Sequence, residues 1–160
     1  MNITLTQKGD ILSGTISIFR SEDIYISSAI YRSCNGSIGI STKWSILMCN
    51  SSCVTLVTLP SSIDMSSSEL FIPARLLDYG KYEFTLTVTV NGGLGGNQSS
   101  STQIEVKRSS ISPKLVSLGT SMISHSVLTD LKMDPGSYST DPDSLIFDGN
   151  VRYSSENQCL

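Results

Sequence analysis

Between Tyr82 and Val90 apolar and polar residues alternate without a break, and few folds accept such a stretch. Tyr82, Phe84, Leu86, Val88 and Val90 fall on one side; Glu83, Thr85, Thr87 and Thr89 fall on the other. A period of two is the period of a β-strand with one face on a core and one in water; on a helix the same apolar residues would scatter around the axis. The threonine row suits the outer face, because a β-branched side chain fits the pleat. Gly92, Gly93, Gly95, Gly96 and their asparagine neighbours then provide a turn. A second alternating run follows at 101–107, with Thr102, Ile104 and Val106 on one side. Two such runs around a Gly/Asn turn predict a β-hairpin.

The rest of the chain keeps the same period. Leu12, Gly14, Ile16 and Ile18 oppose Ile11, Ser13, Thr15 and Ser17. Ile24 and Ile26 oppose Tyr25 and Ser27; Trp44, Ile46 and Met48 share one face; Val54 and Leu56 oppose Val57 and Leu59. About eight short strands separated by turns predict an all-β Greek-key sandwich. The segment Asp78-x-Gly80-x-Tyr82, opening the longest run, fits a tyrosine corner, in which a strand-F tyrosine hydroxyl binds backbone upstream. Tyr82 is the candidate for that role, and Trp44 is the candidate core aromatic between the sheets. This first sandwich is expected over residues 1–110, with Ser112-Pro113 as the linker. Residues 111–160 weakly repeat the first stretch: Ser117, then 128–131, then Tyr153 and Cys159 parallel Ser21, 28–30, Trp44 and Cys49. That is room for about three strands, a truncated second β-sandwich module.

Composition narrows the compartment. Only 16% of residues are charged, against about 25% in an ordinary soluble domain, and serine and threonine fill the gap. The net charge of −3 and the lack of a basic run exclude a nucleic-acid footprint and electrostatic docking on anionic lipid. No apolar run approaches the ~20 residues of a membrane span, and the first ten residues lack the form of a signal peptide. The chain therefore reads as an internal piece of a secreted or cell-surface protein, or as a short isoform of one.

Asn2, Asn35, Asn50 and Asn97 each begin an Asn-x-Ser/Thr acceptor for N-linked sugar. The cysteines are Cys34, Cys49, Cys53 and Cys159. Cys34, Cys49 and Cys53 are expected to hold one local disulfide; the preferred pairing is Cys49–Cys53, and the rival is Cys34 with either of them. Cys159 is left with a partner elsewhere. Zinc at Cys49-x3-Cys53 would need about four Cys or His ligands, and no second cluster supplies them. Asp134, Asp141, Asp143 and Asp148 offer oxygen for calcium, yet Asp-Pro-Gly and Asp-Pro-Asp are ordinary turn sequences, so no metal and no cofactor is expected. Glu22-Asp23 reads as a solvated acidic pair. The single histidine, His125, stands in a serine-rich stretch with no Gly-x-Ser-x-Gly, and an enzyme is not expected.

Several segments are similar, in order and spacing, to the receptor-for-egg-jelly (REJ) region of polycystin-family proteins. They are Arg20-Ser21-Glu22-Asp23-Ile24 with Ser27-Ser28-Ala29-Ile30, Lys43-Trp44-Ser45-Ile46 and Cys49. To these add Leu70-Phe71-Ile72-Pro73-Ala74-Arg75, Tyr79-Gly80-Lys81-Tyr82 with Leu86-Thr87-Val88, and Met133-Asp134-Pro135-Gly136-Ser137-Tyr138-Ser139 with Asp141-Pro142-Asp143. The resemblance implies fibronectin type III/Ig-like sandwich modules in the ectodomain of a membrane receptor, upstream of a cleavage region and a channel-like membrane portion that this sequence does not include. Tyr153 stands where a Trp is expected. The expected role is a non-catalytic structural or interaction module on the extracellular side of the plasma membrane. Its partners would be neighbouring modules, and protein or glycan ligands met by the loops at 33–37 and 91–100. A secreted ligand- or carbohydrate-binding domain is the alternative; it ranks lower because most of the aromatics are expected on inward faces.

Overall fold

The computed structural model describes residues 2–7, 10–12, 14–31, 39–91, 96–114, 124–128, 130 and 135–144. The chain divides into two compact units, Met1–Arg108 and Ser109–Leu160. All the regular secondary structure among the described residues of the first unit consists of strands. In chain order they are β1 (Asn2–Gln7), β2 (Asp10–Ile11), β3 (Thr15–Phe19), β4 (Ile24–Tyr31), β5 (Gly39–Cys49), β6 (Cys53–Leu56), β7 (Glu69–Ile72), β8 (Gly80–Asn91) and β9 (Asn97–Lys107).

They form two sheets, ordered β2-β1-β4-β7 and β3-β9-β8-β5-β6. The β9-β8-β5 order is the G-F-C arrangement of an immunoglobulin-type sandwich, and β1-β4-β7 stands where its A, B and E strands stand. The predicted hairpin is present: β8 and β9 pair antiparallel from Gly80↔Val106 to Thr89↔Asn97. Its outer turn, 92–95, lies outside the described residues.

The two inner faces meet in one core. Ile3, Leu5, Ile24, Ile26, Leu70 and Ile72 come from the first sheet; Ile18, Trp44, Ile46, Tyr82, Phe84, Leu86, Val88, Ile104 and Val106 come from the second; Leu77 joins from the turn before β8. Burial alternates along β8 in the predicted phase. Trp44 is 2% exposed, and its ring nitrogen donates to the Ser67 carbonyl at 2.9 Å, so the polar edge of the largest core side chain is satisfied. The segment between β6 and β7 lies along β5: the Trp44 amide donates to the Met65 carbonyl at 2.8 Å, the Val57 amide to that of Ile46 at 2.9 Å, and the Thr42 hydroxyl to the Ser66 carbonyl.

Two features depart from the sequence reading. The alternating run at 11–18 is not one strand. Ile11 ends β2 in the first sheet, and Thr15 opens β3 in the second, where β3 runs parallel to β9. The break sits at Gly14, whose φ of 96° lies in the left-handed region that glycine tolerates and other residues avoid. Crossing between sheets lets one chain segment pair in both. The polar first residues also form β1, with Ile3 and Leu5 buried.

Among the described residues of the second unit, Ser112 and Thr140 form one isolated antiparallel bridge, and Pro135–Tyr138 form a single helical turn, α1. Buried Asp143 accepts the Ser109 amide at 2.7 Å, and Asp141 accepts the Asp143 amide at 2.9 Å. Of the residues that carried the predicted repeat, Leu128 is exposed in a turn, while Ser117, Thr129, Leu131, Tyr153 and Cys159 lie outside the described residues.

Candidate functional site

The tyrosine corner is formed. Gly80 opens β8 at a φ of 147°, and Tyr82 turns inward with its hydroxyl donating to the Asp78 carbonyl at 2.9 Å. Burial first, and then the Asp78 charge, hold the Tyr82 phenol above its usual value. Arg20, in the turn between β3 and β4, reaches the same corner. Its Nε donates to the Leu77 carbonyl at 3.1 Å, and its Nη2 reaches the Arg75 carbonyl at 3.3 Å and the Asp78 carboxylate at 3.4 Å. The Arg20 guanidinium lies 5.3 Å from the Tyr79 ring centre, and that of Arg108 lies 5.2 Å from it. The Arg75 amide binds the Arg20 carbonyl at 2.8 Å, with Arg75 in the left-handed region at a φ of 67°. Glu22 and Asp23 are exposed as expected, yet each fixes backbone: Glu22 accepts the Phe19 amide at 3.1 Å and Asp23 the Ala74 amide at 2.8 Å. These contacts tie the turn between β3 and β4 to the backbone before β8.

The second cluster lies at the far end of β5. Cys49 and Cys53 are joined by a disulfide. They stand opposite each other where β5 turns into β6, beside a register shift at Met48 and Cys49. Of the two open alternatives, the structure has the short pairing; Cys34 and Cys159 lie outside the described residues. Glu83 brings a carboxylate oxygen within 4.8 Å of both sulfurs, but the bridged sulfurs are no longer thiolates, the form that binds metal.

Asn50 is exposed in the turn clipped by that bridge, Asn97 is exposed at the start of β9, and Asn2 is exposed on β1; Asn35 lies outside the described residues. His125 is exposed in the second unit. Asp141 and Asp143 each bind a backbone amide, while Asp134 and Asp148 lie outside the described residues.

The outer face of the first sheet carries aromatics, against the expectation that most of them point inward, although Tyr25 lies opposite Ile24 and Ile26 as the alternation has it. Tyr25 on β4 and Phe71 on β7 are cross-strand partners, 39% and 49% exposed. A hydrogen bond from Tyr25 to Glu69, next on that face, holds the phenol above its usual value. Tyr31 lies further along β4, also exposed. Period-two alternation does not distinguish the faces when aromatics occupy both.

A family model described as the REJ domain matches residues 27–155, about four-fifths of the chain. No curated protein matches the chain. The matched span holds the tyrosine corner, the buried Trp44 and the disulfide, and by this match the chain belongs to the REJ domain family.

Proposed function

We propose that the chain is a non-catalytic structural and interaction module from the extracellular part of a polycystin-like membrane receptor. The observation that carries the reading is the Cys49–Cys53 disulfide inside a REJ match, since such bridges persist in oxidising compartments. The hydroxyl-rich outer face of β8 and the three exposed Asn-x-Ser/Thr acceptors agree with it. The sandwich would space neighbouring modules and present its loops, and the backbone ladders of β5, β8 and β9 would resist extension together. The test is expression behind an export signal in a eukaryotic cell, with mass analysis before and after enzymatic removal of N-linked glycans. A mass loss at Asn2, Asn50 or Asn97 together with an intact bridge supports the reading; an exported chain with free Cys49 and no sugar refutes it.

A carbohydrate-binding role is the second reading, and the Tyr25–Phe71 pair beside Glu69 favours it. Neighbouring exposed rings flanked by a carboxylate can hold a pyranose by its apolar face and its hydroxyls. Titration with neutral methyl glycosides, read as chemical-shift changes of the Tyr25 and Phe71 rings, decides it; no shift at millimolar glycoside excludes the site.

A further inference from the structure

The only residues between the bridged cysteines are Asn50, Ser51 and Ser52, a complete acceptor for N-linked sugar. We propose that Asn50 receives its oligosaccharide while Cys49 and Cys53 are still thiols, and that closing the bridge ends its life as an acceptor. The inference rests on the extracellular reading.

The geometry is the argument. An extended chain advances at most about 3.3–3.6 Å per residue, so Cys49 and Cys53 would lie about 13 Å apart if the acceptor were extended. The bridge holds their Cα atoms at 3.9 Å. Along an extended segment, residues i and i+2 point to the same side. On this proposal the transferase grips the Asn50 amide and the Ser52 hydroxyl together on the shared side of an opened segment, and a turn whose ends are held 3.9 Å apart cannot open that far. Gripping both matters because the amide nitrogen is a poor nucleophile: its lone pair is delocalised into the carbonyl, as in a peptide bond.

The two reactions compete for one segment. In the first, the Asn50 amide nitrogen attacks the anomeric carbon of a lipid-diphosphate oligosaccharide. A C–N bond forms, the bond from that carbon to the diphosphate breaks, and the amide proton goes to a base on the transferase. In the second, the two thiols lose two protons and two electrons to the disulfide of a thiol oxidoreductase, which leaves as a dithiol. Sugar first and bridge second is open to the chain, because an attached sugar projects from an exposed turn. Bridge first is a dead end for Asn50.

Asn97 is the internal control. It begins an acceptor with no cysteine beside it and is exposed at the start of β9. The chain is expressed behind an export signal in its native form, as C49S/C53S, and in its native form with a thiol reductant present during synthesis. Occupancy at Asn50 and Asn97 is read on glycopeptides, with Trp44 emission as the check on the fold. The expected result is constant occupancy at Asn97 and several-fold higher occupancy at Asn50 in both the double variant and the reductant-treated native chain. Equal Asn50 occupancy in all three, with Asn97 filled, overturns the ordering alone. Empty Asn97 and Asn50 in all three overturn the extracellular reading and the ordering with it. If C49S/C53S fails to fold, the reductant arm decides.

Discussion

Tyr82 shows how much one side chain can hold. Its ring is in the core, and its hydroxyl binds the Asp78 carbonyl just ahead of its own strand. Tyr82→Phe keeps the ring and removes the hydroxyl, so the expected loss is about 1 kcal/mol, the net worth of one hydrogen bond, read as a lower denaturant midpoint at unchanged slope. The same residue sets an alkaline limit. Its phenol is held above 10.0 in the fold, chiefly by burial. Below pH 10 both states keep the proton and the contribution is fully present. As pH rises past 10 the unfolded chain loses its proton first, and stability falls until the folded-state value is passed. Stability should therefore fall more steeply above pH 10 in the native chain than in Y82F; parallel curves would contradict this account. Thr102 is the opposite case. It is 5% exposed, and its hydroxyl has no hydrogen-bond partner among the described residues. Thr102→Val keeps the shape and deletes an uncompensated polar group, so it should raise stability by about 1 kcal/mol in the same assay.

At the scale of elements, the turn between β3 and β4 is tied to the approach to β8 through Arg20. Several groups converge on its guanidinium, but they are not equal. The carbonyls of Leu77 and Arg75 take the geometric load, whereas the Asp78 side chain is 88% exposed, and ion pairs in water are worth about 0–1 kcal/mol. Arg20→Ala should cost about 2 kcal/mol, because two backbone acceptors lose a charged donor. Arg20→Lys should recover only part of this, since an ammonium cannot reach two carbonyls with a planar fork and stacks less well on Tyr79. Asp78→Asn should be nearly neutral, since Tyr82 binds the backbone oxygen of that residue. Denaturant midpoints in the order native ≈ D78N > R20K > R20A check this; D78N as harmful as R20A would mean that the ion pair dominates. The same elements show what a sequence displays. The β8–β9 hairpin was legible because its alternation and its Gly/Asn turn are local. Tyr82 was legible because Asp78 and Gly80 are its near neighbours. β1 was not: Ile3 and Leu5 are two apolar residues in a polar stretch, and their burial depends on pairing with β4 more than twenty positions away. Arg20 was not either, because its acceptors lie 55–57 positions downstream. The switch of sheets at Gly14 was hidden because both halves of the run keep the same period.

At the scale of the molecule, the stretch shared with the REJ family and the stretch that closes a core do not coincide. The family match begins at residue 27, inside β4, and runs to 155. The described buried hydrophobic residues run from Ile3 to Val106, all within Met1–Arg108. A chain limited to 27–155 would lose β1, β2, β3 and the start of β4, and with them Ile3, Leu5, Ile18, Ile24 and Ile26. Each fully buried aliphatic side chain of this kind contributes roughly 1.5–3 kcal/mol, so five of them are comparable to the whole stability of an ordinary domain, about 5–15 kcal/mol. The parallel pairing of β3 on β9 would go as well, exposing β9 as a free edge. Residues 1–108 should therefore fold alone with one cooperative transition, while residues 27–155 should not. Trp44, the single tryptophan, is the probe: buried, it should emit at short wavelength in 1–108 and at the wavelength of water-exposed indole in 27–155. A cooperative, blue-shifted 27–155 would mean that residues 109–155 can stand in for the missing strands, and the sandwich would then have to be redrawn around the family span.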